Sequence, residues 1–210
     1  DGHWRFRLLE ALGRLRNPAA APFLMRVLAE DKFPPARVEA ALALARIKDK
    51  SVLAELQSVS AQLDAEAHLP VLLAVGYALA VLGDPGGRAL IEEHLVVPEG
   101  RTLRWDRLRP GVFAVGQLRL SALRGRVEAI MQRADPFVRR EAARALGALR
   151  DRASIPVLVE QLRDPVPGVR DEALRSLKAL TGFRHKETYD QWSRWLKKQK
   201  EQNAEDEKNR

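Results

Sequence analysis

The chain has 210 residues, no cysteine, and 36 Lys and Arg against 28 Asp and Glu, a formal net charge of +8. This length suits one ordinary domain or one repeat array with a sizeable core, and the missing cysteines exclude disulfides, thiolate chemistry and cysteine-type zinc sites. The charge raises nucleic acid and anionic membrane as partners, yet it is unevenly placed: residues 66–100 carry one Arg and five acids, and residues 101–136 carry eight Arg and three acids.

The longest uncharged stretch, Leu69 to Gly83, falls short of the roughly 20 residues that span a bilayer. The opening Asp1-Gly2-His3-Trp4-Arg5 has neither an initiator Met nor a signal-peptide pattern. The expectation is a processed chain whose upstream targeting segment is not seen. Taken in order, the apolar segments repeat. Glu10-Ala11-Leu12-Gly13-Arg14-Leu15 returns in similar form as Leu42 to Ile47, Tyr77 to Leu82 and Arg144 to Leu149. The last apolar residues, Leu15, Ile47, Leu82, Leu118, Leu149 and Leu180, are spaced by 32, 35, 36, 31 and 31 positions. Such a period means a stacked array.

Each unit reads as a helical pair. In the fifth, Val138, Ala142, Ala145 and Leu149 share one helical face. A turn at Arg150-Asp151-Arg152 follows, and Pro156 then sits in a first helical turn, where its missing N–H has no partner to lose. Pro22 holds the same place in the first unit. The expected fold is all-α: an α-solenoid, a right-handed superhelix of about six pairs over residues 1–182, each pair burying its apolar face against its neighbours. The units span approximately 3–31, 35–64, 68–97, 103–134, 136–163 and 167–182. Leu180-Thr181-Gly182 ends the last repeat helix with Gly in a left-handed cap. Tyr189, Trp192 and Leu196, with Trp195 beside them, form an apolar stripe within 183–200 that reads as a closing cap helix, with an aromatic ligand site as the alternative, and 201–210 reads as a solvated flexible tail without an apolar face.

Asp135-Pro136-Phe137-Val138-Arg139-Arg140-Glu141-Ala142 and Asp164-Pro165 through Val169-Arg170-Asp171-Glu172-Ala173, each followed by a small-residue segment, resemble the bacterial HEAT-like repeat of the phycobilin-lyase-like subtype. The Leu-Thr-Gly…Tyr-x-x-Trp-x-x-Trp ending is similar to the closing segment of many such proteins. The resemblance implies that Asp31, Asp135 and Asp164 at the inter-unit turns, with Arg37, Arg139 and Arg170 of the helices that follow, form a structural ladder in which each carboxylate accepts turn N–H groups and pairs the next Arg. Glu39, Glu141 and Glu172 recur two places after those arginines. Units three and four depart, with Leu72 and Leu108 in the Arg slot. Subtype resemblance alone also suggests a tetrapyrrole lyase or chaperone.

No catalytic motif appears: there is no nucleophile elbow, phosphate-binding loop or His-Glu-x-x-His helix. The repeated His-Glu pairs with which a HEAT-type hydroxylase holds iron do not occur; Glu92-Glu93-His94 is the nearest polar cluster. Neither enzyme activity, cofactor nor metal is expected. Slots on the second helices that would line the inner curve hold Arg26, Glu92, Glu93, Glu128 and Glu160, an acidic balance that would repel a phosphate backbone. His68 to Tyr77 carries no charge on any face and should be covered on more than one side. The basic insertion after it invites two readings. Leu103, Trp105 and Leu108 cover that apolar helix with the Arg heads solvated, or Arg101, Arg104, Trp105, Arg107 and Arg109 form an exposed edge for an acidic protein, with Trp105 as anchor. The expectation is a protein-interaction scaffold, monomeric or weakly oligomeric. The alternative is a nucleic-acid-binding module using the Arg101–Arg126 patch. Compartment and partner identity are not legible.

Overall fold

The computed structural model describes residues 2–96, 105–132, 135–184 and 187–208. Among them all regular structure is helical: α1 (Gly2–Leu15), α2 (Ala21–Glu30), α3 (Pro34–Ile47), α4 (Leu53–Gln62), α5 (Leu69–Leu82), α6 (Pro85–His94), α7 (Trp105–Leu118), α8 (Arg124–Met131), α9 (Pro136–Leu149), α10 (Ile155–Glu160), α11 (Pro167–Thr181) and α12 (Tyr189–Lys208). This is an all-α solenoid. Its short joints include single 3₁₀ turns such as Pro18–Ala20, Lys50–Val52 and Arg152–Ser154.

The chain divides into two compact units, one up to Leu118 and one from Arg119. The division falls directly after α7, inside the segment read from the sequence as the fourth pair. In the first unit α1, α3, α5 and α7 pack in succession, α2 lies on α3, α4 on α5, and α6 on α5 and α7. In the second, α8 and α11 pack on α9, α10 on α11, and α12 on α10.

The elements follow from local chemistry. Proline opens α3, α6, α9 and α11, where no helical N–H is forfeited. The first helices end in left-handed residues: Arg16, Lys48, Arg119 and Arg150, with Gly83 and Gly182 in the same role. Four of these six are cations in a conformation that costs an L-residue about 1 kcal/mol or more. Two effects offset that cost. A positive charge at a helix C-terminus meets the negative end of the dipole. The next residue then restarts the chain, since Asn17, Asp49, Asp84 and Asp151 each accept the N–H two residues on, from Ala19, Ser51, Gly86 and Ala153, at 2.7–3.0 Å. The Asp49 carboxyl lies below its ordinary value chiefly because of the Ser51 N–H.

Leu9, Leu24, Leu28, Leu44, Leu56, Val75 and Leu79 belong to one apolar core of the first unit. Each buried Leu contributes roughly 1.5–3 kcal/mol. Small residues let helices approach. A Cβ on Gly87 would collide with the backbone of Ala80 and Gly76, and one on Gly147 with Ser176. Helix α5 is buried continuously from Val71 to Gly76 and is covered by α3, α4, α6 and α7, as its uncharged sequence requires. Leu108 of α7 is buried, and the Tyr77 and Phe113 rings meet edge-on at 5.2 Å. Helix α12 runs to Lys208, past the boundary placed at Lys200. Exposed Glu201 and Gln202 lie within that helix, which Lys and Glu favour without an apolar face.

Candidate interaction surfaces

The ladder residues take up part of the charge at the turns between units. Each Asp accepts the N–H two residues on: Asp31 from Phe33, Asp135 from Phe137 and Asp164 from Val166, all at 2.8 Å. The pairing runs opposite to the expected direction. Asp31 is held by Arg5 of α1 at 3.3 Å and Asp164 by Arg139 of α9 at 2.6 Å, arginines on the first helix of the preceding pair rather than on the helix that follows. The following arginines turn to main-chain carbonyls: Arg37 Nε donates to Leu28 O at 2.7 Å, and Arg170 donates to Asp164 O and Pro165 O at 2.7 and 3.0 Å. The physical reason is that carbonyls in the last turn of a helix, such as Leu28 O, and in the turn beyond it, such as Asp164 O and Pro165 O, have no intrahelical partner and accept from the next arginine. Burial alone would push the Asp164 carboxyl up. The hydrogen bonds from Arg139 and Val166 and the charges of Arg139 and Arg170 outweigh it and hold the group below its ordinary value. Arg37 is lowered by burial against the charge of Asp31.

The recurring glutamates are buried and paired on their own helices, Glu39 with Arg46, Glu141 with Arg144 and Glu172 with Arg175. Burial raises the Glu39 carboxyl, partly offset by the Arg46 hydrogen bond at 2.6 Å and its charge, with Glu10 adding to the rise and Arg109 opposing it.

The slots read as an inner strip are not equivalent. Arg26, Glu92, Glu93 and Glu160 are exposed, whereas Glu128 is half-buried and bound to Arg124 at 2.7 Å. Glu160 accepts from the Tyr189 hydroxyl at 3.2 Å. In the basic segment, Arg101 and Arg104 lie outside the described residues, and Trp105 is described only as the first backbone position of α7. Arg107 is not a free edge: its Nη2 donates to Glu66 O at 2.6 Å. Arg109 is exposed. Further along the Arg101–Arg126 stretch, beyond the division between the units, Arg124 binds Glu128 and Asp151.

Two surfaces lie outside the site residues named from the sequence. Helix α1 has two apolar faces. Leu9 and Gly13 face α3, while Trp4, Leu8 and Leu15, spaced as one helical stripe, are 58%, 41% and 73% exposed. Arg5 lies over the Trp4 ring at 5.9 Å. The i, i+4, i+11 spacing was readable, but a single sequence does not show which of two apolar faces is covered. The second surface is a cleft of about 350 Å³ between the start of α10 and the middle of α12. Trp192 of α12 is fully buried and meets Trp195 edge-on at 5.8 Å, Phe183 packs against both rings, and Arg163 stacks on Tyr189 at 3.7 Å. Among the described residues no group of three or more His, Asp or Glu could hold a metal ion, and no helix is long and apolar enough to cross a membrane.

Successive helices packed in a repeating order, with Asp–Arg contacts at the Asp31 and Asp164 turns, define an α-helical repeat protein. The family model for HEAT repeats matches residues 3–80 and 112–196. The chain belongs to the HEAT-repeat family. No curated protein gives a significant match. Among solved structures it is similar to human deoxyhypusine hydroxylase in complex with glycerol, with 23% identity and a TM-score of 0.41 over 87% of this chain and 81% of that one.

Proposed function

We propose that the chain is a non-enzymatic protein-interaction scaffold of the lyase-like HEAT subtype, with α12 as the cap of its array. The observation that supports this best is the α1 stripe. Large apolar side chains left exposed along one helical face mark an interaction surface, and Trp is prominent among residues that dominate interface energy.

The test is affinity capture with the full chain, followed by reconstitution with the purified partner. Trp4→Ser combined with Leu8→Ser should keep the far-UV spectrum and unfolding midpoint and lose the reconstituted complex. Unchanged binding by the folded double variant overturns the assignment of this face. Titration of salt against random duplex DNA serves as the counter-test: binding that falls steeply with salt would instead support the nucleic-acid reading.

A further inference from the structure

We propose that the cleft between α10 and α12 docks an acidic peptide segment carrying a bulky apolar anchor. This rests on the scaffold reading and gives it a second site, with a stated ligand chemistry.

The two walls differ in origin and agree in character. Ile155 from the first turn of α10, with Trp195 and Leu196 from α12, supplies an apolar floor. Ile155 is buried, while Trp195 and Leu196 are half-buried, so the floor is accessible. Each wall ends in a cation: Arg152 on the α10 side, Lys200 on the α12 side, both exposed. Their neighbours use their charges elsewhere. Asp151 accepts from Ala153 N and binds Arg124 at 3.1 Å, and Glu160 takes the Tyr189 hydroxyl. No carboxylate among the described residues lies within ion-pairing distance of Arg152 or Lys200. Two cations with no carboxylate partner among the described residues, flanking an apolar floor, complement one apolar side chain with carboxylates on either side.

The walls are also fixed in advance. The Trp192–Trp195–Phe183 cluster and the Arg163–Tyr189 stack hold α12 in place. A peptide entering the cleft therefore meets a formed floor and loses little affinity to ordering the receptor. The volume of about 350 Å³ accommodates one or two large side chains rather than a whole folded element.

The experiment uses the full chain and a labelled synthetic peptide with a central Leu-Phe flanked on both sides by Glu, and follows anisotropy and tryptophan emission. Saturable binding is expected, with a counterpart carrying Lys in place of Glu binding at least about tenfold more weakly. Arg152→Glu with Lys200→Glu should lower affinity for the acidic peptide by a similar factor without moving the unfolding midpoint, since both side chains are exposed. Trp195→Phe should keep binding while removing the emission change. Absence of binding, equal binding of both peptides, or binding indifferent to the double charge reversal overturns the proposal. So does saturation of the cleft by a fatty acid that the acidic peptide fails to displace. None of these bears on the α1 stripe, whose Trp4/Leu8 test stands or falls separately.

Discussion

Arg139 grips Asp164 with two parallel hydrogen bonds, Nε to Oδ2 at 2.6 Å and Nη2 to Oδ1 at 3.0 Å. The same carboxylate accepts Val166 N–H, and its own carbonyl accepts from Arg170. One aspartate thus ties the end of one pair to the helices on both sides of it.

Asp164→Asn should therefore destabilise the chain by about 3 kcal/mol near neutral pH, because it removes the anionic half of a largely buried ion pair. The carboxyl lies below its ordinary value in the fold. Its contribution is accordingly present above the unfolded value of about 3.9 and is lost as pH falls through the folded one. Urea unfolding of wild type and variant should show the gap narrowing from neutral pH toward about pH 3. A gap independent of pH would refute the assignment.

The left-handed turn residues make a second prediction. Arg150→Ile should lose roughly 1–2 kcal/mol, since a β-branched side chain tolerates positive φ poorly. Arg150→Gly should stay within about 0.5 kcal/mol of wild type, as Gly relieves the backbone while removing the cation. Thermal unfolding of the pair checks the contrast, and equal losses would show that φ is not the cause.

Gly87→Ala tests the α5–α6 crossing. Helix propensity alone favours Ala by about 1 kcal/mol. The added methyl, however, meets the backbone of Ala80 and Gly76, which cannot move independently of the helix. A net loss of roughly 1–3 kcal/mol follows, measured by the urea midpoint. A stabilised variant would show that the two helices separate at little cost.

Arg107 and Arg109 should part company. Arg107→Ala removes the donor to Glu66 O and should increase amide exchange in the 64–68 joint. Arg109→Ala, at an exposed position, should leave that joint protected. Identical exchange profiles for the two variants would contradict the contact.

The repeat and its helix type were legible because apolar spacing and proline position act locally. HEAT membership rests on the same residues. The direction of the ladder was not legible. Arg139 and Arg170 occupy equivalent slots, and only the three-dimensional turn decides that one reaches a carboxylate and the other a carbonyl. Nor were the left-handed arginines, since glycine is the usual signal for that conformation and Arg16 and Arg150 look like surface charge. They show where part of the +8 resides: at helix ends, where the backbone favours a cation. The aromatic stripe of α12 was readable, but the wall that faces it was not, as Arg152 and Lys200 lie nearly fifty positions apart.

Helix α5 also sets an order of events. Its uncharged surface is closed on one flank by α6 and on another by α7, which follow it in the chain. During synthesis, which proceeds from the N-terminus, the segment Leu69 to Gly83 emerges before either cover exists. A polypeptide ending between 96 and 104 would leave one flank bare and tend to associate, whereas one ending at Leu118 would carry its own cover. The place where this chain can be cut without exposing its most adhesive helix is thus fixed by α7, well beyond the end of α5 itself.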